Sequence, residues 1–151
     1  ELALNSPVAS DCAPLCHMIG GVLEKIDGVK FMRDATRGGL AAVLCEITAH
    51  KPFGIAIDEQ KVPVNNATQG LCEMLGFDPL QVANEGKVVM IVASDQAKSA
   101  VEILRAHEYG RNAAIIGEVS AKHPGMVTVR TEIGGTRILD MPEGDQLPRI
   151  C

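Results

Sequence analysis

Apolar residues recur at helical spacing along much of the chain, with short apolar or alternating runs between them. From Pro14 to about Ile26, Leu15, Ile19, Val22 and Ile26 share one face, which predicts a helix with Asp11 as N-cap and Pro14 in an early turn. Asp27-Gly28 stops it, and Val29 to Met32 reads as a short extended run. Leu40, Val43, Leu44 and Ile47 give a second helix that ends near His50, before Pro52. Phe53 to Ile57 alternates with Gly54 and Ala56 and reads as a strand. After a polar connection from Asp58 to Val64, Asn65 to Leu75 reads as a short helix closed by Gly76, followed by an irregular stretch, 77–83. Val88 to Ala93 is the most apolar run and predicts a central strand. Asp95 to His107 predicts another helix, with Ala97, Ala100, Val101 and Leu104 on one face and Ser94 or Asp95 as cap. Ala113 to Val119 reads as a strand, and Met126 to Ile133 with Thr136 to Leu139 reads as a hairpin turning at Gly134-Gly135. Helices and strands mix without clean alternation. The expected fold is therefore α+β with a mixed sheet rather than a doubly wound parallel sheet.

The 151 residues suffice for one domain with an adequate core, expected over 11–142, between a linker remnant at 1–10 and a tail at 143–151. The chain opens on Glu1 rather than Met, which suggests a piece of a longer protein. Aromatic residues make up only 3%, so aliphatic side chains must build the core and stacking platforms for single-stranded nucleic acid are disfavoured. A net charge of -5 without a basic run argues against nucleic acid as partner. No apolar run approaches the roughly 20 residues of a membrane span. The five cysteines, at irregular spacing, fit reduced thiols and a cytoplasmic setting better than a disulfide framework. Cys45 and Cys72 lie in helical apolar patterns and read as small core residues. Cys12-x-x-x-Cys16-His17 has one residue too many for haem attachment and no second ligand pair for zinc, so no metal site is assigned.

Three stretches carry candidate chemistry. Asp34-Ala35-Thr36-Arg37-Gly38-Gly39-Leu40 joins an extended run to a helix start. It is either a Gly-rich helix start capped by Thr36 or an anion-binding turn. In the second case Gly38 and Gly39 let the backbone approach the bound group, Thr36 and Arg37 contact its oxygens, and Asp34 orients a donor or helps hold a metal. Asn84-Glu85-Gly86-Lys87 precedes the most apolar run. Glu85 there is a solvated charge or a general base, and Lys87 a strand-end charge or an anion ligand. The chain closes on Pro148-Arg149-Ile150-Cys151, and Pro148 keeps that backbone out of helix or ladder. The tail is either a frayed end with an incidental cysteine or an arm whose thiol carries a covalent cargo. An unperturbed thiol has a pKa of about 8.5; Arg149 favours the thiolate and the terminal carboxylate opposes it.

Taken together, Asp34 to Leu40, Ala83 to Lys87 and the terminal Pro-Arg-Ile-Cys resemble the C-terminal domain of HypE-type hydrogenase maturation factors, in the PurM-like (aminoimidazole ribonucleotide synthetase) superfamily. The resemblance covers nearly the whole chain, and the terminal motif is its specific mark. It implies that Cys151 accepts a carbamoyl group from a HypF-type carbamoyltransferase. The thiocarbamate is then dehydrated with ATP to a thiocyanate, and the cyano group passes to iron on a HypC–HypD scaffold for [NiFe] hydrogenase. Carried onto this sequence, Cys151 is the carrier nucleophile and Glu85 the essential glutamate, expected to be partly buried with a raised pKa. Asp34, Thr36, Arg37, Gly38 and Gly39 form the loop beside the phosphate, with Asn84, Lys87 and Arg149 in support. ATP and Mg2+ are expected mainly on a preceding domain that also forms a homodimer, so the chain alone should not dehydrate. A rival reading is a non-catalytic interaction domain docking its tail on partners. A selenophosphate or aminoimidazole ribonucleotide synthetase needs no terminal cysteine, which disfavours that assignment.

Overall fold

The computed structural model describes residues 10–142. The expected tail with Cys151 and Arg149 lies outside the described residues, as does the expected linker apart from Ser10. Within them the chain runs α1 (Cys16–Leu23), β1 (Val29–Ala35), α2 (Gly39–Thr48), β2 (Gly54–Asp58), α3 (Asn66–Leu75), β3 (Asn84–Val92), α4 (Ala97–Arg105), β4 (Gly117–Ser120), β5 (Val127–Arg130) and β6 (Thr136–Leu139). The α+β expectation holds. Strands β4-β2-β5-β6 form a mixed sheet in which only β2 and β5 run parallel, and β1 and β3 form a separate antiparallel ribbon.

One core cluster lies between the four-stranded sheet and α2. Ile55, Ile57, Val127, Val129 and Leu139 meet Ala41, Val43, Leu44 and Ile47, all buried. Fully burying a Val or Ile side chain contributes roughly 1.5–3 kcal/mol. Phe31, Val89 and Ile91 of the ribbon pack on this cluster, while Val29, Met90 and Val92 pack on Val22 of α1, Ile26 just after it and Ala100 of α4. The ribbon is thus apolar on both faces because both are covered, which explains the unbroken run of β3. A register shift between Val29 and Phe31 lets two residues of equal parity face opposite clusters. The run from Val88 to Ala93 is therefore central among the layers, but it is not central in a sheet: among the described residues β3 pairs with β1 alone.

Several expected caps are corrected. Asp11 pairs with Lys87, and α1 starts after Leu15 without a side-chain cap. Neither Ser94 nor Asp95 caps α4; Gln96 occupies that position, and its Oε1 accepts a bond of 2.7 Å from the Gly28 N–H, tying α4 to the start of β1. Asn65 and Gly76 bound α3 as expected, Asn65 accepting from the Ala67 N–H and Gly76 adopting φ 72°. The strand expected from Ala113 begins only at Gly117, because a turn bonds the Ala113 N–H to the Gly110 carbonyl. The hairpin turn is also longer than Gly134-Gly135: Thr131 bonds to Gly135, and Ile133 projects at its tip.

An ionic network closes one end of the sheet. Arg130 pairs with Asp58, while Arg137 reaches Asp78 at 2.8 Å and Glu59 at 3.4 Å. The hydrogen bond from Arg130 holds the Asp58 carboxyl below the usual carboxylate range, against the opposing effect of its desolvation. A lowered folded-state pKa stabilises the fold above the unfolded value of about 3.9, and that contribution is lost as pH falls through the folded value. The urea midpoint of Arg130→Gln should therefore lie below that of the parent at pH 7, with the gap narrowing below about pH 4. An equal gap at both pH values would contradict this.

Candidate functional site

The turn from Thr36 to Gly38 carries the chain from β1 into α2, and Gly38 and the first helical residue, Gly39, are required for different contacts. Gly38 has φ 65°, and a Cβ there would lie 2.6 Å from the Ala42 Cβ. Gly39 has φ 62°, and its Cβ would lie 2.5 Å from the Val82 carbonyl oxygen and 2.7 Å from that of Leu80. The Ala41 N–H donates to the Leu80 carbonyl at 2.8 Å. The open side of the turn is thus occupied by the chain's own segment 80–82. The expectation that Gly39 makes room for a bound group is corrected: it makes room for backbone, and one of the N–H groups at the helix start is already bonded.

The same contact delivers segment 84–87 to the site. Asn84 closes the loop by donating from Nδ2 to the Val82 carbonyl at 2.6 Å, then pairs with Ala35. The next β1 residue back, Asp34, pairs with Val88, so Glu85, Gly86 and Lys87 bulge out of the ladder. Glu85 is exposed on this bulge, and the Thr36 hydroxyl donates to its Oε2 at 3.4 Å. Two motifs separated by nearly fifty residues therefore meet. Thr36 does not cap α2, whose N-cap is Gly38 with no side-chain bond; its hydroxyl is directed to Glu85 instead. Glu85 was expected to be partly buried. It is exposed because the bulge turns it away from both core clusters.

Segment 11–14 is a component that sequence reasoning did not connect to the site. The Asp11 carbonyl occupies the place a Cβ on Gly86 would need, which brings the segment against the bulge. Cys12, Ala13, Pro14 and Glu85 line an open depression of about 410 Å³. The visible signal was Gly86 itself, since a glycine inside a strand start often marks close backbone approach. Lys87 pairs with Asp11 at 3.5 Å, with both side chains substantially exposed, so the pair contributes little beyond orientation. Arg33, Asp34, Thr36 and Arg37 line a second depression of about 290 Å³, so Thr36 borders it while touching Glu85 of the first. Among the described residues no group of three or more His, Cys, Asp or Glu is placed to hold a metal ion.

The arrangement can accept a proton at Glu85 and present guanidinium and hydroxyl donors to an anion beside it. The family described as AIR synthase related protein, C-terminal domain, matches residues 3–130. The chain belongs to that family. It is 45% identical over 151 residues to the carbamoyl dehydratase HypE of Rhodobacter capsulatus, covering 100% of this chain and 44% of that protein. Among solved structures, a crystal structure of a HypE–HypF complex superposes with a TM-score of 0.86 at 45% identity, covering 93% of this chain and 46% of that one. A crystal structure of the hydrogenase maturation protein HypE in complex with ATP superposes with a TM-score of 0.88 at 38% identity, covering 96% and 44%. The chain thus spans less than half the length of these relatives. No helix among the described residues is long and apolar enough to cross a membrane.

The described cysteines divide by environment. Cys12 and Cys16 are exposed. Burial pushes the Cys45 thiol up, with Asp140 adding to it, and burial pushes Cys72 up, with Asp78 adding to it. Because the thiolate is the reacting form, a disulfide reagent at pH 8 should modify Cys12 and Cys16 quickly, the half-buried Cys45 more slowly and the buried Cys72 only on unfolding. Peptide mapping of the labelled protein reads this directly, and early label on Cys72 would contradict it.

Proposed function

We propose that this chain is the cargo-carrying part of an ATP-dependent carbamoyl dehydratase that makes cyanide ligands for [NiFe] hydrogenase. The observation that carries the reading is the meeting of Glu85 with Thr36, which joins a proton acceptor to an anion-compatible turn. Similarity to carbamoyl dehydratases along the full chain supports it. Cys151 is the carrier thiol in this reading, loaded with a carbamoyl group by a HypF-type carbamoyltransferase. The eight residues Gly144 to Cys151 would reach on the order of 25 Å if fully drawn out at about 3.3–3.6 Å per residue, a length compatible with separate loading and reaction positions.

Dehydration needs the carbamoyl oxygen to leave. That oxygen attacks the terminal phosphorus of ATP, the bond to ADP breaks, and Glu85 takes a proton from the nitrogen. The second N–H proton then departs with phosphate as the C–O bond breaks, leaving the thiocyanate and hydrogen phosphate. Thr36 orients the Glu85 carboxylate, and Arg37 with Asp34 borders the developing phosphate. ATP and Mg2+ are assigned mainly to a further domain, which also forms the homodimer. Cytoplasmic location and delivery of the cyano group to a HypC–HypD iron scaffold complete the reading. The rival, a docking domain without chemistry, draws its support from the exposure of Glu85.

Mass spectrometry of the full-length protein with carbamoyltransferase, carbamoyl phosphate and ATP separates the two. The expected result is a carbamoyl adduct on Cys151 that converts to a cyano adduct. Glu85→Gln should load normally and convert at least about 100-fold more slowly, the loss typical of a general base. Conversion at the parent rate would remove Glu85 from the mechanism.

A further inference from the structure

The second depression contains a residue that the proposed mechanism leaves unused. Arg33 lines it together with Asp34, Thr36 and Arg37. Alternation along a regular strand would send Arg33 and Asp34 to opposite faces. The register shift between Asp34 and Ala35, followed at once by the turn, gathers both with Arg37 around one concavity. Arg33 is anchored there: its Nη1 pairs with Glu46 on α2, each side chain remaining nearly half exposed. A guanidinium has five N–H donors, so a contact through Nη1 leaves donors for a second acceptor. The two arginines outweigh Asp34 by one positive charge along the lining. At about 290 Å³ the space is small for a whole nucleotide and suits a single charged group.

We infer that Arg33 and Arg37 form a two-guanidinium clamp for a phosphate group, with Arg33 held ready by Glu46. The inference rests on the dehydratase reading and deepens it, placing the phosphoryl group transferred from ATP on one side of the Thr36–Glu85 contact. Thr36 lines this depression and touches Glu85, which lines the other, so the oxygen being phosphorylated and the nitrogen losing its protons fall on adjacent sides of one hydroxyl. Planar forks match phosphate oxygens in pairs, and a prepositioned fork loses less freedom on binding than a mobile one.

The test uses the full-length protein and inorganic phosphate as probe. On titration, the Nε–H resonances of Arg33 and Arg37 should shift together. Arg33→Gln should weaken the apparent phosphate affinity about tenfold, and Arg33→Lys should fall between, keeping charge but losing the fork. In single turnover, Arg33→Gln should load Cys151 at the parent rate and convert it about tenfold more slowly. If phosphate shifts neither arginine, or if Arg33→Gln and Glu46→Gln lose thermal stability equally with phosphate affinity unchanged, the pair is only a strut between β1 and α2 and the proposal fails. An unsubstituted protein that makes no cyano product would sink the dehydratase reading, while the phosphate titration would still decide the clamp.

Discussion

The carbonyls of Leu80 and Val82 press against α2 at a position where the helix has no side chain. Gly39 permits that approach by lacking a Cβ and by tolerating a positive φ, and the Ala41 N–H bond to Leu80 locks it. The loop that follows can then enter β3 at one place only, opposite Ala35. Everything local to the site depends on this. Asn84 pairs where β1 ends, three residues are left over before the ladder resumes at Val88, and those residues include Glu85. A β-bulge created by fixing both ends of a strand pair is more rigid than a loop of equal length, because each flank is bonded.

Hydrophobic packing explains why such a bulge is tolerated. The ribbon of β1 and β3 is clamped between the two core clusters, by Phe31, Val89 and Ile91 on one face and Val29, Met90 and Val92 on the other. Burial on both faces fixes its register, since a one-residue slip would exchange the two sets. The ends of the ribbon are then free to depart from regular pairing without loosening its middle. Polar residues at the departing end, Asp34, Thr36 and Glu85, contribute little to the core and so are available for chemistry.

The helices, most strands and the α+β class were legible in the sequence because they rest on periodicity, which burial enforces. The capping assignments were less so. Asp11, Thr36 and Asp95 each precede a helical pattern and have side chains suited to capping, yet Asp11 is drawn to Lys87 and Thr36 to Glu85. A cap is a local option, and a partner brought by tertiary folding can outcompete it. The adjacency of Thr36 and Glu85, 49 positions apart, was not legible, since no spacing rule links them. For segment 11–14 the sequence offers only the hint of Gly86, which marks a close approach without naming its partner, some seventy-five positions away. The exposure of Glu85 was likewise hidden, since a strand-start glutamate reads the same whether the ladder is regular or bulged.

That exposure bears on how the chemistry is divided. A carboxylate in water is a weak base toward an amide nitrogen, and burial or exclusion of water is the usual way to strengthen it. This chain gives Glu85 position and a hydroxyl partner but little cover. Under the proposed function, cover arrives with the cargo-bearing arm and with a further domain that holds ATP. A base that becomes strong only when carrier and nucleotide are present would leave the empty protein inert and confine dehydration to the loaded state. The openness of the depressions and the exposed base are then two consequences of one arrangement, in which this half supplies a rigid, correctly spaced pair of groups and the assembled protein supplies the dry environment.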